Sequence, residues 1–174
     1  MEYVILVNKN GETIGKEEKL KAHKKGLLHL AFSVFVFNDK NQLMLQKRSK
    51  RKYHSPNLWS NTCCSHPRPG EDLLEASHRR LKEEMGFICK LEKLFSFVYK
   101  EKVDDLFEHE YDYVLVGRFN GEPSPNEREV GEWKWMDWDK VKSDVKKHPE
   151  KYTVWFRLIV EKFSDRIDHW LFPL

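Results

Sequence analysis

Apolar residues along this chain fall into short blocks separated by polar turns, with no internal repeat and no Gly/Ser-rich linker. Residues 3–7 form the first strand. Asn8-Lys9-Asn10-Gly11 after it is a turn, because Asn and Gly tolerate the positive φ that tight turns need. Residues 29–37 are almost continuously apolar and rich in Val and Phe, which predicts a strand buried on both faces. The polar run Asn38-Asp39-Lys40-Asn41 is a turn, and the alternating residues 42–47 predict a returning strand that forms a hairpin with residues 29–37. Residues 91–100, 109–119 and 132–138 read as further strands, the last carrying Trp133 and Trp135 between polar partners. Residues 121–126, with two prolines and a glycine, are a loop.

Three segments have helical character. In residues 71–85, Leu74, Leu81 and Met85 recur at i, i+7 and i+11 on one face, and Gly86 supplies the stop. Residues 139–147 predict a short helix. Residues 153–163 predict a longer one, with Val154, Leu158 and Phe163 among its apolar positions. Mainly antiparallel strands interspersed with a few helices give an α+β class, an α/β/α sandwich. At 174 residues the chain is one domain spanning 1–174, large enough to bury a core without disulfide staples.

Composition narrows the function classes. Hydrophobic residues at 40% and charged residues at 34% exclude a disordered or low-complexity chain. No apolar run approaches the roughly 18 residues of a bilayer span, and the N-terminus lacks the features of a secretory signal. Three cysteines, two of them adjacent, make a poor disulfide framework, so the expected location is the reducing cytoplasm. Lys plus Arg at 31 against Asp plus Glu at 28 leaves a net charge of +3, too balanced for non-specific nucleic-acid binding. The absence of a leftover apolar stripe points to a monomer. Residues 47–54 are locally basic, either a solvated loop or the seat of a small anion.

Three local patterns bear on chemistry. Arg80 and Glu84 are i, i+4 neighbours away from the apolar stripe, which fits a surface salt bridge or a carboxylate that holds Mg²⁺ beside a phosphate. Glu108 and Glu110, two apart on a strand, share a face, with His109 opposed. Cys63 and Cys64 face opposite ways if their segment is extended.

Ser65, Glu71, Arg79, Leu81, Glu83, Glu84, Gly86 and Phe87 fall at the spacing of the Nudix box, which the chain resembles. Ser65 replaces the usual first glycine, and Arg80 replaces a metal-binding glutamate. Leu28-His29-Leu30-Ala31-Phe32-Ser33, Asn61-Thr62-Cys63-Cys64-Ser65-His66-Pro67 and Tyr152-Thr153-Val154-Trp155-Phe156, in that order, resemble the type I isopentenyl-diphosphate isomerases within the Nudix superfamily. The resemblance runs from about residue 3 to 163. It implies a Nudix-like mixed sheet flanked by helices, and an enzyme that converts isopentenyl diphosphate to dimethylallyl diphosphate through protonation, a carbocation and deprotonation, in isoprenoid biosynthesis.

Carried over residue by residue, the resemblance places one divalent transition metal, Mn²⁺ or Zn²⁺, on His23, His29, His66, Glu108 and Glu110. It makes Cys64 and Glu110 the two proton-transfer groups, with the order of donor and acceptor open. Trp155 would stabilise the cation, and Tyr99 would bond the glutamate. Lys19, Arg48, Lys52 and Arg80 would bind the diphosphate, with Mg²⁺ on Glu84. Lys50 and Arg51 are left to solvent. The partner is a small isoprenoid diphosphate rather than nucleic acid or membrane. Two other readings compete: a Nudix hydrolase, which lacks a box carboxylate at Arg80 and has no task for Cys64, and a non-catalytic binding protein, which has no need of Cys64 and Glu110.

Overall fold

The computed structural model describes residues Met1–Leu174. Its strands are β1 (Tyr3–Val7), β2 (Thr13–Glu18), β3 (His29–Phe37), β4 (Gln42–Arg48), β5 (Trp59–Ser60), β6 (Cys63–Ser65), β7 (Leu91–Val103), β8 (Leu106–Arg118) and β9 (Val130–Asp137). Its helices are α1 (Lys19–Lys25), α2 (Leu73–Met85), α3 (Trp138–Lys147) and α4 (Val154–Leu171), with a 3₁₀ turn at Pro149–Lys151. No helix is long and apolar enough to cross a membrane.

All nine strands join one mixed sheet organised on β3. β3 runs parallel to β8 along its whole length, from His29 beside Glu110 to Phe37 beside Arg118. On its other side it pairs antiparallel with β6, where Ser33 meets Cys64. β7 and β8 form a long antiparallel hairpin turned at Asp104, whose φ is 54°. β3 and β4 are chain neighbours, but their pairing touches only at Phe37 and Leu43. The expected hairpin opens at once, and β4 spends its ladder on β9.

The continuous apolar run of β3 divides by parity. Phe35 and Phe37 enter a core with Val114 and Val116 of β8, Val141 of α3, and Phe156 and Ile159 of α4. Phe32, Val34 and Val36 enter a second core with Ala76, Leu81 and Met85 of α2. A sheet with α3 and α4 on one face and α2 on the other is the expected α/β/α sandwich.

Three sequence expectations need correction. Leu74 is exposed, because the buried face of α2 is instead Ala76, Ser77, Leu81, Glu84 and Met85. Arg80 and Glu84 therefore do not lie on a solvated surface: Glu84 is buried. α4 runs to Leu171, past the expected end at residue 163, because Ile167 and Leu171 continue its buried face. β2 and α1 were not predicted. β2 is almost wholly exposed and gives no period-2 signal, and α1 is a seven-residue helix ended by Gly26 in the left-handed conformation.

Candidate active site

The same parity that divides the core builds a cleft at the start of β3. His29 and Ser33 lie on the face that continues into Phe35, and Glu108, Glu110 and Asp112 lie on the face that continues into Val114. Where the strands begin, polar residues replace the apolar ones. Lys19, Arg48, Lys52, Cys64, His66, Arg80, Glu84, Tyr99, Glu108, Glu110 and Trp155 line this cleft, so eleven of the thirteen residues expected from sequence border one space. His23 and His29 are fully buried immediately behind it, with His29 at a ring-centroid distance of 5.0 Å from His66 and His23 at 5.5 Å from the same ring.

The three histidines converge. One ligand atom from each of His23, His29 and His66 lies within 4.8 Å of the other two. The Nδ1–H of His23 donates to the Lys19 carbonyl at 2.7 Å, and that of His29 donates to the Leu27 carbonyl at 2.8 Å. Carbonyls accept only, so these bonds put the proton on Nδ1 and leave Nε2 with a free lone pair. The Nε2 atoms of all three rings are buried and have no hydrogen-bond partner. Glu108 Oε2 stands 3.5 Å from His23 Nε2, and Glu110 Oε2 stands 3.3 Å from His66 Nε2. Buried, unpartnered acceptors beside two carboxylates fit a divalent transition metal.

Burial holds the His29 imidazolium off, taking its pKa to about 4, and pushes His66 well below its ordinary value. Burial lowers His23 too, but the adjacent Glu108 carboxylate more than offsets this and its pKa is raised.

The proton-transfer candidates flank β3, Cys64 from β6 and Glu110 from β8. Cys63 points the other way into the α2-side core, as strand alternation requires. Burial pushes the Cys64 thiol up to about 12, with the carboxylates of Glu84, Glu110 and Asp112 adding to the shift against the lowering effect of Arg48, so it keeps its proton at neutral pH. The Tyr99 hydroxyl donates to Glu110 Oε1 at 2.7 Å, and burial beside that carboxylate keeps it a phenol. Trp155 is buried in the α4-side core and also lines the cleft, with the Arg48 guanidinium 5.3 Å from its ring centroid.

The mouth of the cleft is cationic. Lys19, Lys52, Arg79 and Arg80 border a wider groove with Arg68 and with Arg51, which is exposed as expected. These cations currently bind the protein's own carboxylates: Lys19 pairs with Glu2 at 3.0 Å, and Lys52 pairs with Glu129. Arg80 reaches Glu83 and Glu84, each at 2.6 Å. Gln46 Nε2 donates to the second Glu84 oxygen at 2.9 Å, so Glu84 is fixed from two sides with a lone pair left on each oxygen.

Sequence reasoning missed Ser33, Tyr53, His54 and Asp112, all of which line the cleft. Asp112 was within reach of the rule that paired Glu108 with Glu110, since it continues the same alternation. Ser33 Oγ–H donates to it at 2.8 Å, and burial near two other carboxylates raises its pKa well above the ordinary value. Tyr53 and His54 sit in the irregular 49–58 loop, where no periodicity marks a direction.

The NUDIX domain family model matches residues 27–156. The chain is 48% identical over 171 residues to "Isopentenyl-diphosphate Delta-isomerase 2" of Photorhabdus laumondii, covering 97% of each chain. It is 43% identical over 171 residues to the isopentenyl-diphosphate Delta-isomerase of Serratia proteamaculans, covering 97% of this chain and 96% of that one. Among solved structures, DR0079 from Deinococcus radiodurans superposes with a TM-score of 0.77 at 18% identity, over 92% of this chain and 98% of that one. The MutT protein from Methanosarcina mazei gives 0.67 at 18% identity, over 80% and 95%. These two likenesses establish the fold alone.

Proposed function

The chain belongs to the NUDIX domain family and, within it, to the isopentenyl-diphosphate Delta-isomerases, and from that premise we propose that Cys64 and Glu110 are its proton-transfer pair. The enzyme interconverts isopentenyl diphosphate and dimethylallyl diphosphate. One alkene carbon must gain a proton while a carbon two bonds away loses one, through a tertiary cation that water would trap. The observation that carries the assignment is the placement of Cys64 and Glu110 on strands either side of β3, facing one largely buried cleft.

Within that cleft each side chain has a task. Cys64 exchanges a proton at Sγ, and Glu110 exchanges one at a carboxylate oxygen, with the Tyr99 hydroxyl holding Oε1 in place. The π-face of Trp155 stabilises positive charge on the reacting carbon, an effect worth on the order of 2 kcal/mol in a desolvated site. Lys19, Lys52 and Arg80 at the mouth, with Arg48 deeper in the cleft, bind the diphosphate, Lys19 and Lys52 exchanging the carboxylates of Glu2 and Glu129 for phosphate oxygens. This keeps the hydrocarbon end inward, away from water.

His23, His29, His66, Glu108 and Glu110 would hold one divalent transition metal, Mn²⁺ or Zn²⁺, and Glu84 would hold Mg²⁺ together with the diphosphate. When bound, these cations supply positive charge that offsets the clustered carboxylates and the phosphates.

Incubation with isopentenyl diphosphate and Mg²⁺ in D₂O, followed by NMR, tests the reading. Dimethylallyl diphosphate carrying solvent deuterium is expected, and its loss in Cys64→Ala and Glu110→Gln supports the pair. Release of inorganic phosphate or pyrophosphate would favour hydrolysis instead.

A further inference from the structure

His54 takes no part in the chemistry above, yet it touches three elements of the site. It is buried in the loop between β4 and β5. Its backbone carbonyl accepts from Arg48 Nη2 at 3.2 Å. Its ring stands edge-on to Trp155, with centroids 5.9 Å apart and planes at 80°, and packs against Tyr53 at 4.6 Å. These contacts leave the ring little freedom, and they aim Nε2 at Glu108 Oε1, 3.4 Å away.

The two oxygens of Glu108 have different surroundings. Oε2 faces His23 Nε2 at 3.5 Å, on the side where the imidazole lone pairs converge. Oε1 lies against His54 instead, is buried, and has no hydrogen-bond partner. A buried carboxylate oxygen without a donor is destabilising, and the imidazole nitrogen against Oε1 belongs to His54. The separation is just beyond an ordinary N–H···O bond.

We propose that His54 is a positioning residue for the metal centre: its Nε2–H holds Glu108 Oε1, so that Oε2 alone is presented to the ion. Groups that orient a ligating side chain in this way typically govern metal affinity by 10–100-fold. The inference rests on the metal centre described under the proposed function, and the test separates the two.

The decisive comparison is His54→Phe, which keeps a ring against Trp155 without a donor, with His54→Gln, which keeps an N–H donor without the ring. The readout is the dissociation constant for Mn²⁺ and for Zn²⁺, measured by chelator competition on the full-length protein, with circular dichroism to verify folding. His54→Phe should weaken binding about 10- to 100-fold, and His54→Gln should stay within about threefold of the parent. Parental affinity in His54→Phe, or equal weakening in both variants, overturns the positioning role. If the parent protein binds neither ion, or if His29→Ala retains parental affinity, the metal centre itself is wrong and the role of His54 falls with it.

Discussion

Cys63 and Cys64 differ only in the face of β6 they occupy, and that difference separates packing from chemistry. Cys64→Ala should lower turnover at least 10³-fold, within the range that positioned proton transfer supplies, while leaving the melting temperature almost unchanged. Cys63 is buried among Phe32, Ala76 and Leu81. Cys63→Ala should keep turnover near that of the parent and lose about 1–2 kcal/mol of stability in urea denaturation, the cost of a small core cavity. The opposite pattern would exchange their roles. Tyr99→Phe removes the donor to Glu110 Oε1 and should lower kcat about tenfold, the worth of one hydrogen bond to a charged group, with KM little changed. A larger rise in KM than fall in kcat would make Tyr99 a substrate-binding residue.

Among the elements, α2 shows how a helix end can serve a site. Asp72 caps its start in a reciprocal capping box with Glu75, and Gly86 ends it at φ 76°. A Cβ on Gly86 would stand 2.2 Å from the Ser124 carbonyl oxygen, so only glycine fits both the backbone angle and the neighbouring loop. That loop bonds back to the last turn: Ser124 N–H donates to the Met85 carbonyl at 2.8 Å, and Asn126 N–H donates to the Glu84 carbonyl at 2.9 Å. Gly86→Ala should therefore cost more than about 1 kcal/mol, the usual penalty at a left-handed cap, because the loop must also move. Because Glu84 lies in this turn, the Mg²⁺ concentration for half-maximal activity should rise as well. A variant with parental stability and Mg²⁺ dependence would show that the loop yields freely.

For the whole molecule, the histidine cluster ties folding to pH. Burial places the pKa of His29 at about 4 and that of His54 at about 3, and holds His66 well below its ordinary value, against about 6.5 in an unfolded chain. The folded state binds fewer protons at these positions, so their contribution to stability is complete above about pH 6.5 and declines as pH falls toward 4. His23, raised by Glu108, has the opposite sign and offsets part of the loss. Metal-stripped protein should accordingly lose stability between pH 7 and pH 5, above the range where ordinary carboxylates titrate, by up to about 1.4 kcal/mol per pH unit for each such histidine, with Asp112, whose pKa burial raises, opposing part of the loss. Urea midpoints at pH 7.5, 6 and 5 measure it, and a flat profile would refute the linkage.

Much of this was legible in the chain itself. The boundaries of β1 and β3, the glycine stop of α2 and the split between Cys63 and Cys64 follow from alternation, capping and turn chemistry, which act between residues near in sequence. Separated motifs in a fixed order also pointed to the family. Other features depended on long-range pairing. The parallel register of His29 beside Glu110, and the antiparallel one of Ser33 beside Cys64, bring together residues that no local period relates. Glu84 reads as a surface partner of Arg80 until Gln46, 38 residues earlier, is found against it. His54 lies in an irregular loop, and its direction is set by packing on Trp155, about a hundred residues later in the chain. Local sequence determines which elements form and which face is apolar, because those choices are made within a few residues. Tertiary structure decides which polar ends meet, because buried strand pairing and packing set that geometry across the whole chain.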